Sequence, residues 1–274
     1  MNYAPSILDY LAQSPDLTEV LLAPGSLPMR RDPAGMTPIG EASLTEQDVR
    51  DTLTTLIAHT KTIAPNAKSG VFSFGIPQRG RFRVGFLTQR GTYAASILKV
   101  PFEVPRLADL LAEPAEAEVI EQKFTSFRSG LLLITGGSPL AANLFAYALL
   151  RHCNETEQRH IFIIEPGITF LLRHQRSLVL QCEIGTDVED VGQGLRAALH
   201  LNPDLIYVRD ITNTRDLDLL SRAVEAQVFT LATIPILDAA ALITRGREDL
   251  PGHSVRGLWH LDHVDGEKLR VLMS

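Results

Sequence analysis

Between residues 129 and 150 the sequence reads SGLLLITGGSPLAANLFAYALL, and this stretch constrains the fold more than any other. The apolar run 131–134 predicts a buried parallel strand, residues 135–138 a turn, and residues 140–150 a helix. Strand, glycine turn and helix in that order is the layout of a phosphate-binding loop. A working loop of this kind reads G-x-x-x-x-G-K-[ST]: glycines let backbone N–H groups wrap the phosphates, the lysine reaches the β and γ phosphates, and the hydroxyl ligates Mg²⁺. Gly136 and Gly137 open the turn here, but Ala141, Ala142 and Asn143 stand where glycine, lysine and the hydroxyl residue are expected. The layout is kept and its chemistry replaced.

Around this stretch the pattern changes halfway along the chain. Residues 1–100 read as a small α+β domain. Ser6 and Asp9 suggest a capping box opening a short helix, and Thr45 with Asp48 a second one before the apolar stripe Val49, Leu53, Leu56 and Ile57. Residues 19–22, 27–31 and 36–39 predict short strands, the last two joined through Asp32-Pro33-Ala34-Gly35, and residues 71–76, 81–90 and 92–100 an antiparallel meander. The PFEVP run at 101–105 breaks both periodicities and reads as a linker. Residues 106–274 then alternate strands (131–135, 160–165, 177–184, 204–210, 228–234) with helices (notably 187–200 and 214–226), the grammar of a mostly parallel sheet covered on both faces. The end departs from it: 255–260 and 269–273 flank Asp265-Gly266, a hairpin signal.

Composition limits the function. Forty-five per cent hydrophobic residues over 274 suffice for sizeable cores, and a net charge of -6 argues against nucleic acid as a partner. No apolar run approaches a membrane span and the first residues lack the build of a signal peptide, so a cytoplasmic protein is expected. Cys153 and Cys182 have no metal-ligand spacing and are expected as buried, reduced thiols. His260 and His263 fall on opposite faces of a predicted strand, which opposes a shared metal. No metal site is expected.

Several stretches, in order up to about Ile243, carry a family likeness. FSFGIPQRGRFRVGFLTQRG (72–91), GLLLITGG (130–137), the segment from RHIFIIE to CEIGTD (159–187) and LRAALHLNPDLIYVRD (195–210) resemble the corresponding motifs of the type IV pilus retraction ATPases, PilT-like members of the type II/IV secretion ATPase superfamily. The resemblance implies a PAS-like N-terminal domain, a RecA-like core, rings of six, and nucleotide bound between neighbours. The departures fall on the chemistry. Besides Ala141, Ala142 and Asn143, Glu165 matches the family's acidic-box glutamate, but Pro166 and Gly167 follow it. Arg209 replaces a glycine, Asp210 stands at the catalytic glutamate position, and Pro235 at a histidine. The chain also ends in the hairpin where the family continues into further helices.

The expected function is therefore that of a catalytically inactive, PilT-like pseudo-ATPase. It would bind no nucleotide cofactor and act as a structural or regulatory partner in type IV pilus, twitching or related secretion machinery. Its expected partners are an active pilus ATPase or the inner-membrane pilus platform, reached from the cytoplasm, and an oligomer is compatible with this. Two alternatives stay open: a weak or non-standard ATP-binding motor, and a module binding a small ligand or peptide on the reshaped loop. Arg81, Arg83 and Arg90 match arginines that in the family reach a neighbour's nucleotide, and otherwise read as solvated strand charges or interface ion pairs. Glu165 and Asp210 read either as an acid/base or metal pair or as vestiges of a lost site.

Overall fold

In a computed structural model of the chain, Thr45 and Asp48 form the reciprocal cap that their spacing predicts, each side chain meeting the other's backbone N–H, and helix α2 (Glu46–Ile57) follows. The model describes residues 1–14, 18–32, 35–60, 63–64, 66–100, 103–136, 138–234, 255–264 and 268–273. The chain divides into two compact units, Met1–Glu103 and Val104–Ser274.

In the first unit, strands β1 (Glu19–Leu22), β2 (Met29–Asp32), β3 (Gly35–Pro38), β4 (Ser69–Ile76), β5 (Gly80–Gln89) and β6 (Thr92–Val100) form one sheet in the order β3-β2-β1-β6-β5-β4. All its pairings are antiparallel. Alternation sends Phe72, Phe74, Phe82, Val84, Phe86 and Ile97 to one face, where they bury against Leu8 and Leu11 of α1 (Ala4–Gln13) and Leu53 and Leu56 of α2. The cap expected at Ser6 and Asp9 is not formed. Pro5 lies in the first turn of α1, where a missing N–H costs nothing, and Ser6 inside the helix bonds back to the Tyr3 carbonyl.

The second unit is a seven-stranded sheet, made of β7 (Gly130–Gly136), β8 (His160–Glu165), β9 (Leu178–Glu183), β10 (Leu205–Val208), β11 (Phe229–Ile234), β12 (Val255–Val264) and β13 (Lys268–Met273). Their order is β13-β12-β7-β11-β10-β8-β9, with only β13 antiparallel to its neighbour. This is the mostly parallel α/β core with a terminal hairpin that the sequence predicts. The hairpin's turn, 265–267, lies outside the described residues, as do 33–34, 101–102 of the expected linker, and Pro235. On β7, Leu132 and Ile134 face one core and Leu131 and Leu133 the other. The first core holds α5 (Pro139–Thr156) with the shorter α3 (Leu107–Leu110) and α4 (Ala117–Ser126); the second holds α6 (Val191–His200) and α7 (Thr214–Glu225). Helix α6 starts later than expected because Asp190 rather than Asp187 caps it, through the Gln193 N–H. Both cysteines are free, but only Cys153 is buried; Cys182 is half-buried. No helix among the described residues is long and apolar enough to cross a membrane.

Candidate functional site

Because β7, β8, β10 and β11 run parallel, their C-terminal ends and the start of α5 share one edge of the sheet, the place where open α/β sheets bind ligands. Most of the expected site residues of the second unit are brought together there. Gly137 lies outside the described residues. Arg81, Arg83 and Arg90 belong to the first unit and do not converge: Arg81 and Arg83 share a face of β5, while Arg90 sits past its far end in the β5–β6 turn.

The head of α5 is built around Ser138. Its hydroxyl accepts from the Ala141 N–H at 3.1 Å, and its carbonyl from the Ala142 N–H at 3.0 Å. The helix already begins at Pro139, which has no N–H and suits the first helical position. Ala141 and Ala142 are 7% and 1% exposed, packed in the core rather than facing a cleft. Gly136 has φ +83°, and a β-carbon there would run into the Leu261 carbonyl and the His260 ring, so β12 closes directly over the turn. Thr135 Oγ1 meets His260 Nδ1 at 3.0 Å across the same gap.

Behind this turn lies a continuous buried polar network. Asn143 is spanned between two partners: its Oδ1 accepts from the Tyr207 hydroxyl at 3.0 Å, and its Nδ2 donates to Thr169 Oγ1 at 3.0 Å. Glu165, at the end of β8, is 0% exposed. Its Oε1 accepts from the Tyr147 hydroxyl, and its Oε2 from the Thr169 N–H at 3.3 Å and from Arg209 Nη1 at 3.2 Å. Pairing of Val208 with Ile164 sets Arg209 beside Glu165, and the Arg209 N–H bonds the Ile164 carbonyl at 3.0 Å. Arg209 Nη1 also donates to the Gly167 carbonyl at 3.0 Å and to Thr169 Oγ1, while Nε donates to Asp210 Oδ2 at 3.1 Å. Asp210 adopts φ +60°, its N–H held by Thr233 Oγ1 at 3.0 Å.

Burial dominates the electrostatics. It pushes the Glu165 carboxyl up to about 7, against the opposing pull of Arg209 and of the Tyr147 and Thr169 hydrogen bonds. Burial also disfavours charge on Arg209, but Glu165 and Asp210 outweigh it and leave the guanidinium held above its ordinary value. The Tyr147 hydroxyl is raised by burial and then by the Glu165 charge. It remains a neutral donor.

Tyr147, Thr169, Tyr207, Thr233 and Ser138 are participants that the sequence reading missed. Only Ser138 carried a local signal, a serine directly before a proline at a helix start. Tyr147 and Tyr207 fall on apolar stripes and read as core. Their hydroxyls acquire roles only when α5 and β10 are laid over the end of β8.

No family model matches the chain. It is 29% identical over 220 residues to a twitching motility protein of Neisseria gonorrhoeae, covering 80% of this chain and 57% of that protein. It is 29% identical over 174 residues to the type IV pilus retraction ATPase PilT of Pseudomonas aeruginosa, covering 64% and 49% respectively. The chain thus spans about half the length of these curated relatives. In fold it matches the crystal structure of the pilus retraction motor PilT with bound ADP, with a TM-score of 0.80 at 22% identity, over 100% of this chain and 82% of that one. In sequence and in fold the chain is similar to the type IV pilus retraction ATPases.

Proposed function

We propose that the chain is a catalytically inactive relative of these ATPases, acting by association as a structural or regulatory partner in pilus, twitching or related secretion machinery. In this reading residues 1–100 are the PAS-like domain, 101–105 the linker and 106–274 the RecA-like domain. The observation that carries it is the head of α5. Backbone amides that would wrap a phosphate are taken by Ser138, Pro139 supplies none, and Ala142 offers no charge. These residues do not fit a magnesium-bound nucleotide. Charge-assisted hydrogen bonds contribute roughly 1.5–3 kcal/mol each, so losing the lysine contacts and the metal ligand removes on the order of 3–6 kcal/mol. That is about two to four decades of affinity.

The association half is supported by the first unit. The sheet face opposite α1 and α2 carries an apolar depression of about 740 Å³ whose lining includes Leu21, Val71, Gly85, Leu87, Ala94 and Ser96. Val71 and Leu87 are 47% and 49% exposed, an arrangement typical of surfaces that meet another protein. An active pilus ATPase or the inner-membrane platform is the partner this reading expects.

Titration with labelled ATP and Mg²⁺ tests the inactive half, with no saturation expected below the millimolar range. Micromolar binding with turnover abolished by Asp210→Asn would overturn it. For the association half, pull-down against active pilus ATPases and platform proteins should capture at least one of them. A monomer that captures none leaves the ligand-binding alternative in front.

A further inference from the structure

Each sheet has two edges, and among the described residues the chain itself blunts three of the four. On β9 the outward N–H groups of Val179 and Glu183 donate to His174 Nδ1 at 3.1 Å and to Asp187 Oδ2 at 2.8 Å. On β13 the Leu269 carbonyl accepts from the Ala112 N–H at 2.8 Å, and β3 is four residues long and ends in Pro38. Charges, prolines, short strands and covering groups keep strand edges from pairing with other chains. The fourth edge, β4, has none of these: SGVFSFGI is eight residues long and holds no charge and no proline. The Thr88 N–H donates to the Lys68 carbonyl, which sets the phase of the β4–β5 ladder. Phe72 and Phe74 therefore bond to β5, and the N–H and C=O groups of Val71, Ser73 and Gly75 point away from the sheet. Among the described residues these groups have no partner.

We propose that β4 pairs antiparallel with β4 of a second copy of this chain about a two-fold axis through Ser73, joining the two sheets edge to edge. The strand's own pattern selects this occupant. Val71-Phe72-Ser73-Phe74-Gly75 reads nearly the same in both directions, which suits a two-fold contact between identical strands. In this register Val71 faces Gly75 of the second copy, Ser73 faces its twin, and about six backbone hydrogen bonds form. The glycine leaves room for the valine on the outer face. On the buried face Phe72 falls opposite Phe74 of the second copy and extends an aromatic row. The Ser73 hydroxyl is shielded from water and has no partner among the described residues; rotation about χ1 brings it to its twin across the axis. Pro77, which has no N–H, ends the pairing. Arg83, beside Ser73 on β5, lies three strand spacings from its twin, about 14 Å, more than a Debye length at physiological salt. The contact stands whether or not the chain binds a nucleotide or a pilus protein.

The test is sedimentation velocity of the purified full chain alone, from about 1 to about 100 µM, the range of a small interface. A monomer–dimer equilibrium is expected, with the dimer dominant at the top of that range. Val71→Lys changes a half-exposed side chain and is expected to leave the melting midpoint unchanged while raising the dimer dissociation constant at least about tenfold. Ser73→Cys in a Cys182→Ser background reads the register. Directly paired antiparallel residues have Cα atoms about 5.5 Å apart, within disulfide reach, so mild oxidation is expected to link two copies. Gly75→Cys in the same background, offset from its twin by about 14 Å along the strand, is expected not to link. A chain that stays monomeric throughout, a dimer that Val71→Lys leaves intact, or a Ser73→Cys chain that links no better than Gly75→Cys overturns the proposal. If Val71→Lys does not fold, the two cysteine variants decide it.

Discussion

Tyr147 on α5 donates its hydroxyl hydrogen to the Glu165 carboxylate at the end of β8, and both side chains are fully buried. The same hydroxyl accepts from Gln181 Nε2 at 3.2 Å, so one phenol joins a helix to two neighbouring strands of the sheet. Removing it leaves a carboxylate oxygen and an amide short of a partner in the interior. Tyr147→Phe is therefore expected to destabilise the second unit by about 1–3 kcal/mol, read as a lower urea midpoint with an unchanged slope.

Glu165 gives stability a pH dependence of defined sign. Its carboxyl is raised in the folded chain from an ordinary 4.5 to about 7, so the folded state holds its proton more tightly than the unfolded one. The contribution is fully present below about pH 4.5 and is lost as pH rises through 7. Glu165→Gln should flatten that part of the profile, measured as the difference between wild-type and variant urea midpoints from pH 5 to 8. Parallel profiles would show that the group does not titrate there.

Restoring Gly, Lys and Ser at 141, 142 and 143 is expected not to restore ATP hydrolysis. Ala142 is 1% exposed among core side chains, and a lysine there buries an unpaired charge. Loss of at least about 3 kcal/mol is expected from Ala142→Lys alone. Hydrolysis assays and unfolding of the triple variant check both parts.

Gly136→Ala tests the closure of β12 over the turn. The φ of +83° disfavours any side chain, and the added methyl meets the Leu261 carbonyl. A loss exceeding about 2 kcal/mol is expected, with faster hydrogen exchange confined to the β7–β12 edge.

On the first unit, Leu87→Lys replaces a half-exposed leucine at the apolar depression and should leave stability within about 0.5 kcal/mol. If that face carries association, capture of a pilus ATPase or platform protein in pull-down falls while the unfolding midpoint holds.

Much of the architecture is written locally. Thr45 and Asp48 specify the start of α2 because a cap is a contact between residues three apart, and strands β4 to β6 announce themselves by alternation. The parallel sheet follows from strands separated by helices, and the hairpin from its Asp-Gly signal. Local signals also mislead where two compete: Ser6 and Asp9 have the spacing of a cap, but Pro5 starts α1 earlier. At the candidate site the sequence determined which residues stand at the positions of a phosphate-binding turn and that Ala141, Ala142 and Asn143 cannot supply its usual chemistry. Only the tertiary structure decided that the partners of Arg209 are Glu165 and Thr169, 44 and 40 residues away. Those contacts depend on β10 lying beside β8. That neighbourhood is fixed by apolar packing of the whole sheet, and no local pattern around Arg209 encodes it.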